Sequence, residues 1–387
     1  MSPLIDTVFS VQVYLDHNAT TPASPEVIHA VFDAMSGGFG NAASSHVPGR
    51  KAAALVERAR EQVAELVNVA ATRLVWTSGS TEALNTAMMA ATRSHPHLLL
   101  ARTEHKAVLD TAEHLADQGV PLTWIDSDEA GRVTPERLTA ALPAGPFVLA
   151  VMAANNETGV VNDIARLTRI AHGAGGLVVC DATQQVGKLP VDLDAWGVDY
   201  ASASAHKLNG PQGVGVLVTP RGQEALPLIR GGRHQNGWRS GTLNVAGVVG
   251  FGVAAQLALK HLPDGDRVRE FRDRLHRLLE SELGALPING DIAERLPNTL
   301  NIRIPGADAD AMIVNCPEVA FSSGSACTAA VPTPSHVLLA MGLDAVHAEE
   351  SVRLSLGAET TTDDVELAAA RLAEAARRVR RLNNWER

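Results

Sequence analysis

The chain has 387 residues, 45% hydrophobic and 20% charged, a balance that supports a sizeable core and excludes intrinsic disorder. At roughly 100–200 residues per domain, this length predicts more than one structural unit. The formal charge of −10, from 33 basic and 43 acidic residues, opposes sequence-independent attraction to a phosphate backbone, so no direct nucleic-acid partner is expected.

Along the first two thirds, short apolar runs alternate with polar turns and helix-like stretches. The runs are 74–76, 97–101, 122–125, 147–152, 177–180, 200–202 and 214–218. Amphipathic stretches such as 135–142 and 164–172 lie between them. This alternation predicts an α/β fold with a mostly parallel, seven-stranded sheet flanked by helices. Beyond residue 255 the texture changes. A charge-rich helical stretch at 264–283, a strand at 299–304 and a glycine- and serine-rich segment at 322–327 lead to a final helix opening near Thr361 or Thr362. The expected division is a large domain, 21–254, and a smaller α+β domain built from 1–20 and 255–387. Arg371, Arg377, Arg378, Arg380 and Arg381 near the end of the last helix read as solvated complements to its dipole. No segment reaches the ~20 uninterrupted apolar residues of a membrane-spanning helix. The N-terminus also lacks a basic stretch followed by an apolar one, so neither membrane insertion nor secretion is expected.

Ligands of open parallel sheets sit beyond the carboxyl ends of the strands, which directs attention to the polar residues that follow each run. The turn 77–82, TSGSTE, precedes a helix and offers backbone N–H groups and hydroxyls to an anion such as a phosphate. It lacks the Gly-Lys-Ser/Thr ending of a nucleotide P-loop. Asp181 emerges after an apolar strand, where an unpaired charge is costly, and no cluster at metal spacing surrounds it, so no metal is expected. A protonated heterocyclic nitrogen would satisfy it. Lys207, after a later strand, could hold such a heterocycle through an imine, its amine made nucleophilic by desolvation or a neighbouring positive charge. Phosphate loop, acid and lysine together describe a pyridoxal phosphate site. His105 reads as an imidazole over the ring that shuttles protons, or as a satisfied loop histidine. The three cysteines, Cys180, Cys316 and Cys327, are too few for a disulfide framework and match no zinc spacing, so a reducing cytoplasm is the expected setting.

The motifs that carry these residues resemble the cysteine desulfurases, of the class V branch of fold-type I pyridoxal phosphate enzymes. They are YLDHNATTP at 14–22, GNAASSH at 40–46, TSGSTE at 77–82, TEHKAVL at 103–109, NNETGVV at 155–161 and DATQ at 181–184. VGKLP at 186–190, HK at 206–207, RSGT at 239–242, SSGSACT at 322–328 and VRLSLG at 352–357 continue the family's order. The resemblance implies that pyridoxal 5'-phosphate attaches to Lys207, that Asp181 partners the ring nitrogen, that Gln184 donates to the ring oxygen and that His105 stacks as the acid/base group. It implies phosphate contacts from Ser80, Thr81, Ser204 and His206. In the family's homodimer a residue matching Thr242 reaches the phosphate from the other subunit. Asn156, beside the cofactor, and Arg353 would receive the substrate carboxylate.

Cys327, in a cysteine loop at about 322–335 among small neighbours, matches the nucleophile and the group with an extended loop. The implied reaction converts L-cysteine to L-alanine and leaves a persulfide on Cys327 for a sulfur-acceptor protein. Relatives feed iron–sulfur assembly, tRNA thiolation, molybdenum-cofactor and thiamine pathways, or DNA phosphorothioate modification. A selenocysteine lyase or another class V aminotransferase is the alternative. Cys180 and Cys316 read as buried, inert thiols. The stretch 231–237, GGRHQNG, departs from the family's usual pattern, as do Ala205, Asn209 and Gln212.

Overall fold

The computed structural model describes residues 11–222, 224–323 and 333–382. The strands are β1 Val13–Tyr14, β2 Leu74–Thr77, β3 Leu98–Ala101, β4 Leu122–Ile125, β5 Phe147–Met152, β6 Gly176–Asp181, β7 Tyr200–Ser204, β8 Gly215–Val218, β9 Thr299–Arg303, β10 Val319–Ala320 and β11 Ser351–Ser355. Seven of them form one sheet in the order β2-β8-β7-β6-β5-β3-β4, with only β8 antiparallel to its neighbours. Each of the seven apolar runs in the sequence is a strand of this sheet.

The interior strands are apolar throughout because both faces are covered. Period-2 geometry sends alternate side chains to opposite sides. Leu98, Leu100, Val148 and Ala150 pack with the helices Ser80–Ala91 and Lys106–Asp117. Leu99, Ala101, Leu149 and Val151 pack in the other layer, with Ile164–Gly173, Val47–Val67 and Val245–His261. The outer edge of β2 is capped by a side chain: the Gln235 carboxamide accepts from Trp76 N (2.6 Å) and donates to Trp76 O (2.9 Å). Unpaired strand groups are thereby satisfied without a further strand.

The stretch Val245–Leu283 is long and apolar enough, by length and composition, to cross a membrane. Its apolar part, Val245–His261, is nevertheless core. Phe251, Ala254 and Ala255 are fully buried, and a Cβ on Gly252 would meet Ala59 Cα at 2.8 Å, so glycine permits close approach to the helix Val47–Val67.

A separate apolar cluster joins Val13 and Leu15 to residues between Val268 and Val379. It is built on the antiparallel pair β9–β11, the short parallel pair β1–β10 and the helices Gly265–Leu283 and Thr362–Leu382. On that last helix three of the five arginines are engaged locally: Arg377 pairs with Glu282, Arg371 with Glu374, and Arg380 Nε donates to Pro305 O (2.8 Å), while Arg378 and Arg381 are exposed.

Candidate active site

A cavity of about 540 Å³ opens where β2, β3, β5, β6 and β7 end. It is lined by Ser80, Thr81, His105, Asn156, Asp181, Gln184, Ser204, His206, Lys207 and Arg353, so the topology brings together these ten sequence-predicted site residues. Thr242 stands apart, exposed, in a second cavity with Asn41, Arg60 and His234. Cys327 lies outside the described residues.

The anion loop is built by close packing. A Cβ on Gly215 would lie 2.6 Å from Gly79 Cα, so β8 can reach the loop only with glycine there. No side chain caps the helix Ser80–Ala91, which leaves its first N–H groups for a ligand. Glu82 ties the loop down, accepting from Ser78 N (2.7 Å) and from Arg239 Nε (3.0 Å). Thr183 Oγ1 lies 2.6 Å from Ser80 Oγ and also bonds Asp181 Oδ1, linking the loop to the end of β6.

Asp181 is buried, and Oδ1 further accepts from Thr183 N (3.0 Å) and Ser202 Oγ (3.1 Å). Among the described residues nothing donates to Oδ2, which remains for a cationic ligand group. Lys207 Nζ donates to Asn18 O (2.6 Å) and Ala19 O (2.7 Å). His105 caps the helix Lys106–Asp117 by accepting from Ala107 N at Nδ1 (3.1 Å), so Nε2 is the nitrogen left to carry and exchange a proton. Burial is the main cause of its lowered pKa. Burial, then Lys207 and Lys188, push His206 down to about 4, which keeps it a neutral donor or acceptor; its Nδ1 lies 3.1 Å from Thr20 Oγ1.

Arg353 is buried and anchored from behind. Nη2 donates to Asp16 (2.7 Å) and Nη1 to Asn156 O (3.2 Å), while Nε has no partner among the described residues. Its backbone exchanges hydrogen bonds with Ser322, at the start of the cysteine loop (2.7 and 3.2 Å). At the far end of that loop Ser335 Oγ donates to Glu157, and His336 Nε2 lies 3.0 Å from Glu104 O. The other thiols are closed off: Cys180 and Cys316 are buried, and burial raises both pKa values, that of Cys316 to about 11.

A buried carboxylate with one open oxygen, an uncapped helix start rich in hydroxyls and a lysine, all lining one cavity, make a donor set that fits pyridoxal phosphate. Sequence reasoning assigned no role to Asn18, Thr183, Lys188 or the Glu82–Arg239 pair. Each stands in or beside a motif centred on another residue, and several of the contacts join residues distant along the chain: Asn18 N bonds Ser355 Oγ (2.9 Å), and Arg239 pairs with Glu82.

Fold and cavity together define a fold-type I pyridoxal phosphate enzyme. The aminotransferase class-V family pattern matches residues 13–367. The cysteine desulfurase IscS of Anaeromyxobacter dehalogenans (strain 2CP-C) is 43% identical, over 96% of this chain and 94% of that protein. A solved NifS-like protein superposes with a TM-score of 0.88 at 31% identity, covering 94% of this chain and 98% of its own. A structure of SspA in complex with cysteine gives 0.79 at 30%, covering 89% and 98%. The chain belongs to the class-V aminotransferase family, among its cysteine desulfurases.

Proposed function

We propose that this pyridoxal phosphate enzyme takes L-cysteine as substrate, releases L-alanine and passes the sulfur, through Cys327, to an acceptor protein. The observation that carries this reading is the convergence of Lys207, Asp181, His105 and the uncapped helix start on one cavity. Ser80, Thr81, Ser204 and His206 would hold the phosphate, Asp181 would keep the ring nitrogen protonated, Gln184 would donate to the ring oxygen and Lys207 would provide the covalent attachment. When bound, the cofactor supplies an electron sink for the electrons left at the substrate α-carbon.

The remaining work falls to the chain. Arg353 and Asn156 receive the substrate carboxylate, a task suited to a guanidinium already oriented by Asp16. His105 Nε2 moves protons. The Cys327 thiolate attacks the substrate sulfur; the S–S bond forms as C–S breaks, the electron pair returns to carbon, and protonation gives L-alanine. The balance is one cysteine consumed, one alanine released and one sulfur gained by Cys327. Pairing of Ser322 with Arg353 and of Ser335 with Glu157 roots both ends of the cysteine loop beside the cavity, which supports this assignment.

A homodimer is part of the reading. It is supported by exposed Ile28, Phe32 and Met35 on the helix Pro25–Gly37 and by Thr242, which lies outside its own chain's cavity and is available to a partner's. The division into 21–254 and the remainder is supported by the separate apolar clusters. Cytoplasmic residence is supported by the free thiols Cys180 and Cys316. Cys327→Ser is the test: it should bind cofactor normally yet release no alanine from cysteine under turnover, and normal alanine output would refute the nucleophile.

A further inference from the structure

Close to Lys207 lies a second lysine, Lys188. Lys188 Nζ donates to Gln184 Oε1 (2.7 Å) and to Asn18 Oδ1 (3.1 Å), and among the described residues no carboxylate pairs with it. Burial, ahead of the Lys207 and Arg353 charges, pushes its pKa well below the ordinary lysine value. An ammonium resting on two neutral amide oxygens is costly where water is scarce.

What it provides is direction. An ammonium only donates, so it dictates which atom of a neighbouring carboxamide faces it. The helix-like turn after β6, with Val186 N bonded to Ala182 O (3.0 Å) and Leu189 N to Gln185 O (3.1 Å), brings residues 184 and 188 together. Gln184 must then present Oε1 to Lys188 and turn its NH2 group away. One N–H meets Asn18 O (2.9 Å), and the other is left for the cavity that Gln184 lines. Asn18 is fixed in the same way. Its Oδ1 faces Lys188 and Asn298 Nδ2 (3.1 Å), its Nδ2 reaches Thr299 Oγ1 (2.9 Å) and Asn156 O (3.1 Å), and its carbonyl also accepts from Lys207 Nζ. Without the ammonium, only the Asn18 carbonyl opposes the turnover of the Gln184 carboxamide that would set oxygen against oxygen at the ligand.

We propose that Lys188 is a positioning residue: it locks the Gln184 carboxamide with a donor N–H toward the ring oxygen of the cofactor. This rests on the reading that the cavity binds pyridoxal phosphate with Gln184 beside that oxygen.

The test is a double-mutant cycle in the full-length protein, with pyridoxal 5'-phosphate as the probe, read by its dissociation constant and by the pH midpoint of its visible absorption band. Lys188→Met removes the charge, and Gln184→Ala removes its target. Lys188→Met should weaken cofactor binding about tenfold, the scale of one charge-assisted hydrogen bond, and move the spectral midpoint. The double variant should be no worse than Gln184→Ala alone, and Lys188→Arg should recover part of the loss. Additive losses, or a wild-type spectrum and affinity in Lys188→Met, would overturn the role. Lys188→Gln replaces Lys188→Met in the cycle if the latter does not fold. A wild-type chain that takes up no cofactor would sink the reading of the cavity itself, and so the two failures are distinct.

Discussion

Gly215 shows how much of this site is decided by an atom that is not there. Any Cβ at that position would press on the Gly79 backbone at 2.6 Å and on Ala203 O at 2.9 Å, contacts that no side-chain rotation relieves. Gly215→Ala should therefore push the anion loop out of place and weaken cofactor binding by about tenfold or more, in line with the cost of overpacking a rigid contact. Titration of the purified variant with pyridoxal phosphate measures it, and unchanged affinity would mean that the loop tolerates displacement. Lys207 and Asp181 were legible in the sequence because each follows an apolar run and brings a chemistry that cannot be satisfied by its neighbours. Asn18 was not. It gathers Ser355, Thr299, Gln184 and Lys207 from across the chain, and no local pattern announces contacts of that separation.

Strands and helices repeat the lesson with different limits. The run at 177–180 extends in the structure to Asp181 because its backbone still pairs with Met152 and Ser202, although its side chain is polar. Hydrophobicity marks the middle of a strand, and hydrogen bonding sets its end. The two-residue strands β1 and β10 had no signal of their own, since Val13 and Val319 meet only through long-range pairing. The turn after β5 carries a consequence for pH. Burial is the main cause that raises Glu157 to about 7, against the lowering effects of Ser335 and Arg353. Between its ordinary value near 4.5 and about 7 the folded chain keeps a proton that the unfolded chain releases, so stability falls as pH rises through that window, by up to about 3 kcal/mol. Glu157→Gln keeps an acceptor for Ser335 and cannot titrate. Denaturant midpoints at about pH 5 and about pH 8 should diverge between wild type and variant, the wild type losing more on the alkaline side; parallel curves would contradict the burial argument. His17 works in the opposite sense. Held at about 4 chiefly by burial, it refuses a proton that the unfolded chain accepts, so acid destabilises the fold below pH 6.5.

For the molecule as a whole, the sheet and its two layers followed from the alternation of runs and helices; the homodimer was expected only from the family resemblance, and the exposed apolar face that would support it becomes visible only once the helix is folded. Phe32 is 65% exposed and Met35 67% exposed on one helix, with Ile28 beside them. In the proposed homodimer, Phe32→Asp should convert a dimer to a monomer in sedimentation and lower cofactor affinity, because Thr242 would no longer reach the partner's phosphate. A wild-type chain sedimenting as a monomer, or a variant that stays dimeric, would remove that face from the interface. Intact-peptide mass spectrometry after one exposure of the cofactor-loaded protein to L-cysteine follows the transferred sulfur atom directly. Sulfur transfer through Cys327 requires that the peptide bearing this residue become one sulfur heavier, in step with alanine released, while Cys180 and Cys316 are unchanged. Alanine release with no added sulfur at Cys327 would contradict it.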